Sequence, residues 1–192
     1  MMKARLIPLG VALLALGACA PESTGERVRP DTASVQSPAS ESDPADDAWR
    51  ISPGGVKDIR VGMGFSELAA HLRAAADTAA LGEACGYVSV AGAPDSVRFM
   101  VEAGRLVRIE VVGGSATTRE GARIGDTEER ILQLYPAARR MPHKYTAGQY
   151  LIALPGAPAD TVHRYVFETD GTRVTMFRAG VYPQVEYVEG CS

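Results

Sequence analysis

The 192-residue sequence lacks the short motifs that commonly identify a reaction. It has no G-x-S-x-G nucleophile elbow, no His-x₃-His or Cys-x₂-Cys metal pattern, and no glycine-rich phosphate loop ending in lysine. The three histidines, His71, His143 and His163, fall in three different predicted elements, so their spacing gives no support to a shared metal site. We therefore predict no catalytic residue, no metal and no cofactor.

Net charge is missing from most of the chain. Residues 49–192 contain 16 basic and 16 acidic residues, so they lack the positive excess that binds nucleic acid. Residues 20–48 contain seven acidic residues against two arginines, together with four prolines and very few large apolar side chains. That composition predicts a disordered acidic tether, because it cannot bury enough apolar surface to offset the entropy of ordering.

No bilayer-spanning segment is predicted at the N-terminus. Lys3 and Arg5 precede an apolar run of 13 residues, 6–18, whereas a membrane-spanning helix needs about 20. A basic start, a short apolar middle and small residues at the end are typical of a secretory signal peptide, here residues 1–18.

The end of this segment, Leu16-Gly17-Ala18-Cys19, resembles the lipobox of bacterial lipoproteins. The resemblance implies that Cys19 takes a diacylglycerol thioether, becomes the mature N-terminus and anchors the chain to a membrane. The residue after it is Ala20 and not Asp, which by the same resemblance favours the outer membrane over the inner one. The alternative is ordinary cleavage, since Ala18-Cys19-Ala20 also fits the A-x-A rule and would discard Cys19.

Two cysteines remain in the folded part, Cys85 and Cys191. In an oxidising envelope compartment they are expected to form a disulfide, which would tie the C-terminus into the fold. The alternative is a catalytic thiol at Cys85, but that would require a partner histidine and would leave Cys191 without a role.

Residues 49–192 contain two similar stretches. Residues 59–68 match residues 122–131 at an offset of 63, and residues 104–109 match residues 171–176 at an offset of 67. Each copy combines a helix start with later strands, and Asp170-Gly171 is a strong hairpin signal between two of those strands. A last strand is expected over 184–188.

These patterns predict one α+β domain over 49–192, made of two repeats at about 56–112 and 119–190. Each repeat is a helix followed by an antiparallel meander. Both helices are expected to pack on one face of an antiparallel sheet, leaving the other face open.

Arg60-Val61-Gly62-Met63, followed by a short helix and three strands, resembles the unit of the BamE/SmpA outer-membrane lipoproteins. Two such units in tandem resemble the β-lactamase inhibitory protein. The resemblance implies a non-enzymatic, protein-binding scaffold, and it does not name the partner.

One segment concentrates residues suited to binding. Arg139, Arg140, His143, Lys144 and Tyr145 bring four potential cations and an aromatic ring into the loop after the second predicted helix. Such a patch suits a phosphate, a carboxylate or an acidic protein surface. The alternative is a solvated loop whose basic residues complement the end of a helix.

Together these observations predict an outer-membrane-anchored lipoprotein on the periplasmic side, with a non-catalytic domain that binds an envelope protein or a cell-wall component. An inhibitor of an exported hydrolase, of the β-lactamase or lysozyme class, is the first alternative. An envelope enzyme is the second, and it would need a polar pocket that gathers two or more histidines with acids.

Overall fold

A seven-stranded antiparallel sheet organises the computed structural model, which describes residues 49–73, 84–154 and 159–191. The strands are β1 (Arg50–Ile51), β2 (Gly55–Val56), β3 (Ile59–Arg60), β4 (Gly86–Val88), β5 (Val97–Glu102), β6 (Arg105–Val111), β7 (Thr117–Thr118), β8 (Arg139–Pro142), β9 (Gln149–Ala153), β10 (His163–Thr169) and β11 (Val174–Val181). The large sheet has the order β4-β5-β6-β11-β10-β9-β8, while β1 pairs with β7 and β2 pairs with β3.

Helical structure is limited to a few turns. Helix α1 (Phe65–Leu68) continues into a 3-10 turn at Ala69–His71, α2 covers Glu128–Leu134, and a second 3-10 turn covers Gln184–Glu186. None of the helices in the described part of the chain is long and apolar enough to cross a bilayer.

One face of the large sheet carries the main apolar core. Alternate strand residues such as Phe99, Ile109, Phe167 and Phe177 are fully buried on it, as alternation along a strand requires. Each helix adds one buried apolar side chain, Leu68 from the first and Ile131 from the second. The short strands near residues 50–60 complete the cover of this face.

The predicted α+β class, with duplicated helix-plus-meander units, is wrong: the described chain is mostly β. The first helix lacks a side-chain cap at Gly64 and ends before Leu72, which is extended and forms a bridge with Val90. The second has a side-chain cap, since the Thr127 hydroxyl accepts from the Arg130 amide at 3.2 Å, but it lasts only seven residues. Helices of four and seven residues do not make a layer.

What recurs between the two halves is a set of backbone contacts, between neighbouring strands and between the start of each helix and the turn of a hairpin. The bulge between Met100 and Val101 against β6 has its counterpart between Glu168 and Thr169 against β11, at an offset of 68 residues. Phe65 N donates to Gly104 O at 2.7 Å, and Glu128 N donates to Thr172 O at 3.1 Å. The strand offset is therefore 68, and the offset of 67 read from the sequence is wrong by one residue.

The second face of the sheet is not open, contrary to the sequence expectation. Residues 183–191, hereafter the C-terminal cover, lie across it, and Val185 is fully buried against Tyr150, Ile152 and Val166. The strand expected over 184–188 is also wrong, because this stretch begins with the 3-10 turn and pairs with none of the described strands.

The disulfide between Cys85 and Cys191 is confirmed. It fixes the end of the C-terminal cover beside the start of β4 and links residues 106 positions apart. The signal peptide, the tether and Cys19 lie outside the described residues.

Candidate functional site

The predicted basic loop is partly a strand at the edge of the sheet. Arg139 and Arg140 lie on β8, whose four residues are all exposed and pair with β9 on one side. His143, Lys144 and Tyr145 follow in the turn that leads into β9. The structure therefore brings the five predicted residues into one segment.

Most of the positive charge of this segment is matched by acidic residues from other elements. Arg140 forms an ion pair with Glu128 of α2, and the Lys144 Nζ lies 2.8 Å from a carboxylate oxygen of Glu189 in the C-terminal cover. The Tyr145 hydroxyl donates a hydrogen bond to the same Glu189 carboxylate. The segment is thus bound to the rest of the domain at several points, and its charge is largely compensated.

His143 has a structural setting. Its ring stacks on Tyr150 with the ring centroids 4.5 Å apart, and its Nε2 lies 3.5 Å from Glu168. Its Nδ1 accepts hydrogen bonds from the amides of Tyr145 and Thr146 at 3.1 and 3.2 Å. These contacts use both ring nitrogens to hold the turn in place.

Arg139 is the exception within the segment. Among the described residues its guanidinium forms no ion pair, and the side chain is exposed at the outer edge of the sheet. It is therefore the cation of this segment that remains available to a partner. The sequence alone could not distinguish Arg139 from Arg140, because Glu128, the ion-pair partner of Arg140, lies 12 residues away in the chain.

A groove opens between β8 and the C-terminal cover. It has a volume of about 200 Å³ and combines six mainly apolar side chains with one lysine and one glutamate. Its lining residues are Met141, Pro142, Lys144, Tyr150, Ile152, Val166, Glu186 and Val188. Small-molecule sites usually measure about 300–1,000 Å³, so this volume suits a single large side chain better than a whole metabolite.

The floor beside the groove contains two buried arginines. Arg108 and Arg178 are each 1% exposed, and they form ion pairs with Glu110 and Glu168, respectively. Both guanidinium groups also donate to the Tyr187 carbonyl of the C-terminal cover, each at 2.7 Å. Burial, and secondarily the charge of Arg108, lowers the pKa of Arg178 to about 10.

These arginines explain why the C-terminal cover stays on a polar sheet face. A buried guanidinium requires acceptors, and the cover supplies backbone carbonyls that the strands cannot provide. The cover therefore forms one fixed wall of the groove, held by the arginines in its middle and by the disulfide at its end.

The three histidines lie in three separate parts of the described fold. His163 pairs with Asp160, with Nδ1 and Oδ2 3.0 Å apart, while His143 lies against Glu168 and His71 ends the first 3-10 turn. Among residues 49–73, 84–154 and 159–191, no three His, Cys, Asp or Glu side chains are grouped as metal ligands.

No protein-family model, no curated protein and no solved structure matches this chain. The resemblances to lipoproteins and to the BamE/SmpA unit therefore depend only on the residues quoted for them.

Proposed function

We propose that this protein is an outer-membrane-anchored lipoprotein whose folded domain, on the periplasmic side, binds a segment of another envelope protein. The anchor is Cys19, within its lipobox-like sequence. The disulfide between Cys85 and Cys191 supports an oxidising compartment, because such bonds are rare in the cytosol.

The observation that carries the binding role is the groove beside β8. Its walls are mainly apolar and its volume of about 200 Å³ fits one large side chain. An apolar side chain gains about 25 cal/mol for each Å² removed from water, whereas a glycan would need more polar partners than this lining offers. A protein segment therefore fits the groove better than a cell-wall glycan does.

An exposed cation on β8, two residues before Met141 of the groove, gives the partner a second property. Arg139 is exposed at the edge of the sheet without an ion pair among the described residues. A partner that places an apolar side chain in the groove and a carboxylate near Arg139 would satisfy both features. We infer that the bound segment is apolar and acidic.

The edge strand itself contributes little to backbone pairing with such a segment. His143 N donates to Gly148 O at 3.1 Å. Because backbone N–H and C=O groups alternate in direction along a strand, those of residues 139 and 141 also point toward β9. The backbone groups that point away from β9 are those of Arg140 and Pro142, and proline has no N–H to donate. Recognition therefore depends on side chains in the groove and not on an added strand.

Site-specific photo-crosslinking in cells tests this proposal. A photoreactive residue replaces Met141 in the groove, or Val112 on another part of the surface as the control; the native side chains are 38% and 39% exposed, respectively. We expect a discrete adduct with one identified envelope protein from position 141 and none from position 112. We also expect Arg139→Glu to abolish that adduct.

Two results would contradict the proposal. Equal labelling from both positions would mean that the groove has no special role. An adduct that Arg139→Glu leaves unchanged would remove the acidic part of the partner's description.

A further inference from the structure

A second cavity, on the side of the domain where the described chain begins, is surrounded by positive charge. It has a volume of about 280 Å³, and four of its nine lining residues are cationic: Arg50, Lys57, Arg60 and Arg119. We propose that this cavity, hereafter the cationic cleft, binds a phosphate group. The proposal uses none of the residues of the groove beside β8 and is independent of it.

The cationic cleft is built on paired backbone. Arg50 begins β1, which pairs in parallel with β7, and the amide of Arg119 donates to Ile51 O at 2.9 Å just after β7 ends. The guanidinium of Arg50 donates to the carbonyl of Arg119. The Arg50 guanidinium is therefore held against the backbone of Arg119, although 69 positions separate the two residues in sequence.

The other two cations are held by a tight hairpin. Strands β2 and β3 place Lys57 and Arg60 at its tip and on its second strand. Gly55 has φ of +138°, and a Cβ at this position would lie 2.1 Å from the carbonyl oxygen of Ile59. Only glycine allows this close approach, so the geometry that presents the two side chains is strongly constrained.

Three of the four cations, Arg60, Lys57 and Arg119, have charges that the described residues compensate weakly or not at all. Arg60 is paired with Glu67 at 2.5 Å, and both side chains are more than half exposed, so water competes for this pair. The Nζ of Lys57 lies 4.5 Å from the ring centroid of Trp49, a contact that leaves its charge in place. Arg119 forms no side-chain ion pair among the described residues.

Phosphate is the anion that matches this donor set. A guanidinium presents its N–H groups as a planar fork that fits two phosphate oxygens, and several guanidinium groups around one cavity fit a group with three or four oxygens. A cleft lined by one sign of charge also focuses the field and raises the local concentration of counter-ions. Because residues 49–192 are neutral overall, this is a local feature and not a general attraction for anions.

The phosphate could belong to a soluble phosphoester or to a lipid headgroup, and the test separates the two. The mature chain carrying Cys19→Ala is used, so that no acyl chain contributes to binding. Inorganic phosphate and pyrophosphate are titrated with detection by amide chemical shifts. In parallel, co-sedimentation is measured with vesicles that do or do not contain an anionic phospholipid.

Arg119→Gln is the test variant and Arg130→Gln is its matched control, since both remove one exposed arginine and only the first lies in the cationic cleft. We expect saturable shifts at residues 54–56 and 119. One lost charge-assisted hydrogen bond should raise Kd about tenfold for Arg119→Gln. The control should change Kd by less than about twofold, because salt screens distant charges.

Each outcome decides the matter. Saturation by the soluble anions, with the loss confined to Arg119→Gln, supports a soluble phosphoester as ligand. Binding to anionic vesicles alone, with the same difference between the variants, supports the phosphate of a lipid headgroup. No binding in either arm, or equal effects of the two variants, overturns the proposal.

Discussion

Glu110→Gln tests the buried charge network beneath the C-terminal cover. Glu110 is 3% exposed and accepts hydrogen bonds from the Arg108 guanidinium and, at 2.9 Å, from the Tyr87 hydroxyl. Arg98 adds a longer ion pair at 3.3 Å. Glutamine keeps the shape of the side chain but removes the charge that balances Arg108.

The expected cost follows from burial. Removing one partner of a buried ion pair typically destabilises a protein by about 3–5 kcal/mol, because the remaining charge is left uncompensated in a medium of low polarity. Arg108 keeps the carbonyls of Gln184 and Tyr187 as acceptors, so the lower end, about 3 kcal/mol, applies here. For a domain of this size each kcal/mol corresponds to roughly 2–4 °C in Tm, giving a fall of about 6–12 °C.

The assay is urea unfolding of the oxidised protein, with Glu67→Gln as the control. That variant also removes one negative charge, but its pair with Arg60 is exposed and is worth at most about 1 kcal/mol. We expect equal m-values and a much lower midpoint for Glu110→Gln. Free energies of unfolding that agree within about 1 kcal/mol for the two variants would refute the reasoning.

Three further predictions follow from the structure. Alanine at both cysteines of the disulfide should lower the free energy of unfolding by about 4–5 kcal/mol, measured in urea against the oxidised wild type; no change would contradict the role of the bond in holding the C-terminal cover. Burial raises the pKa of Tyr135 and Tyr165, so these hydroxyls stay protonated in the folded chain. In the unfolded chain the same two hydroxyls lose their protons near pH 10. The stability they contribute is therefore complete well below pH 10 and is lost above it, with a slope that approaches about 1.4 kcal/mol per pH unit for each tyrosine; Tyr135→Phe should reduce that slope by up to this amount in denaturation measured from pH 9 to 11. Arg140→Ala should cost about 1–3 kcal/mol in the same assay because it leaves Glu128 buried without its partner, whereas Arg139→Ala should cost less than about 0.5 kcal/mol; equal losses would contradict the assigned contacts.

Features set by local chemistry could be predicted from the sequence. The hairpin at Asp170-Gly171 is present between β10 and β11, and the Asp170 carboxylate accepts from the amides of Thr172 and Arg173 at 2.8 Å each. The cap at Thr127 is likewise local, and the disulfide followed from there being only two cysteines in the folded part. Each of these needs information from a few neighbouring residues or a simple count.

Features set by distant partners could not be predicted. Leu72 continues the apolar spacing of a helix, but its backbone is extended because it pairs with Val90 across the fold. Residues 184–188 have the composition of a strand, yet the carbonyls of Gln184 and Tyr187 accept hydrogen bonds from Arg108 of β6 and Arg178 of β11. No local pattern records those acceptors.

The candidate sites show the same limit. From the sequence, the segment around Arg139 is predicted to be a cationic patch. The acids that compensate its charge, Glu128, Glu168 and Glu189, belong to three other elements and could not be recognised in advance. No sequence pattern predicts the cationic cleft, because Arg119 lies far along the chain from the hairpin that carries Lys57. Only the pairing of β1 with β7 brings these residues to one cavity.

The central claim, that a binding domain acts from a lipid anchor, is tested most directly by intact-mass and peptide mass spectrometry of the mature protein purified from membranes. We predict an N-terminal peptide that begins at Cys19 and carries a thioether-linked diacylglycerol, whose two acyl chains are enough for stable anchoring. A mature chain that begins after Cys19, without fatty acid, would contradict the account.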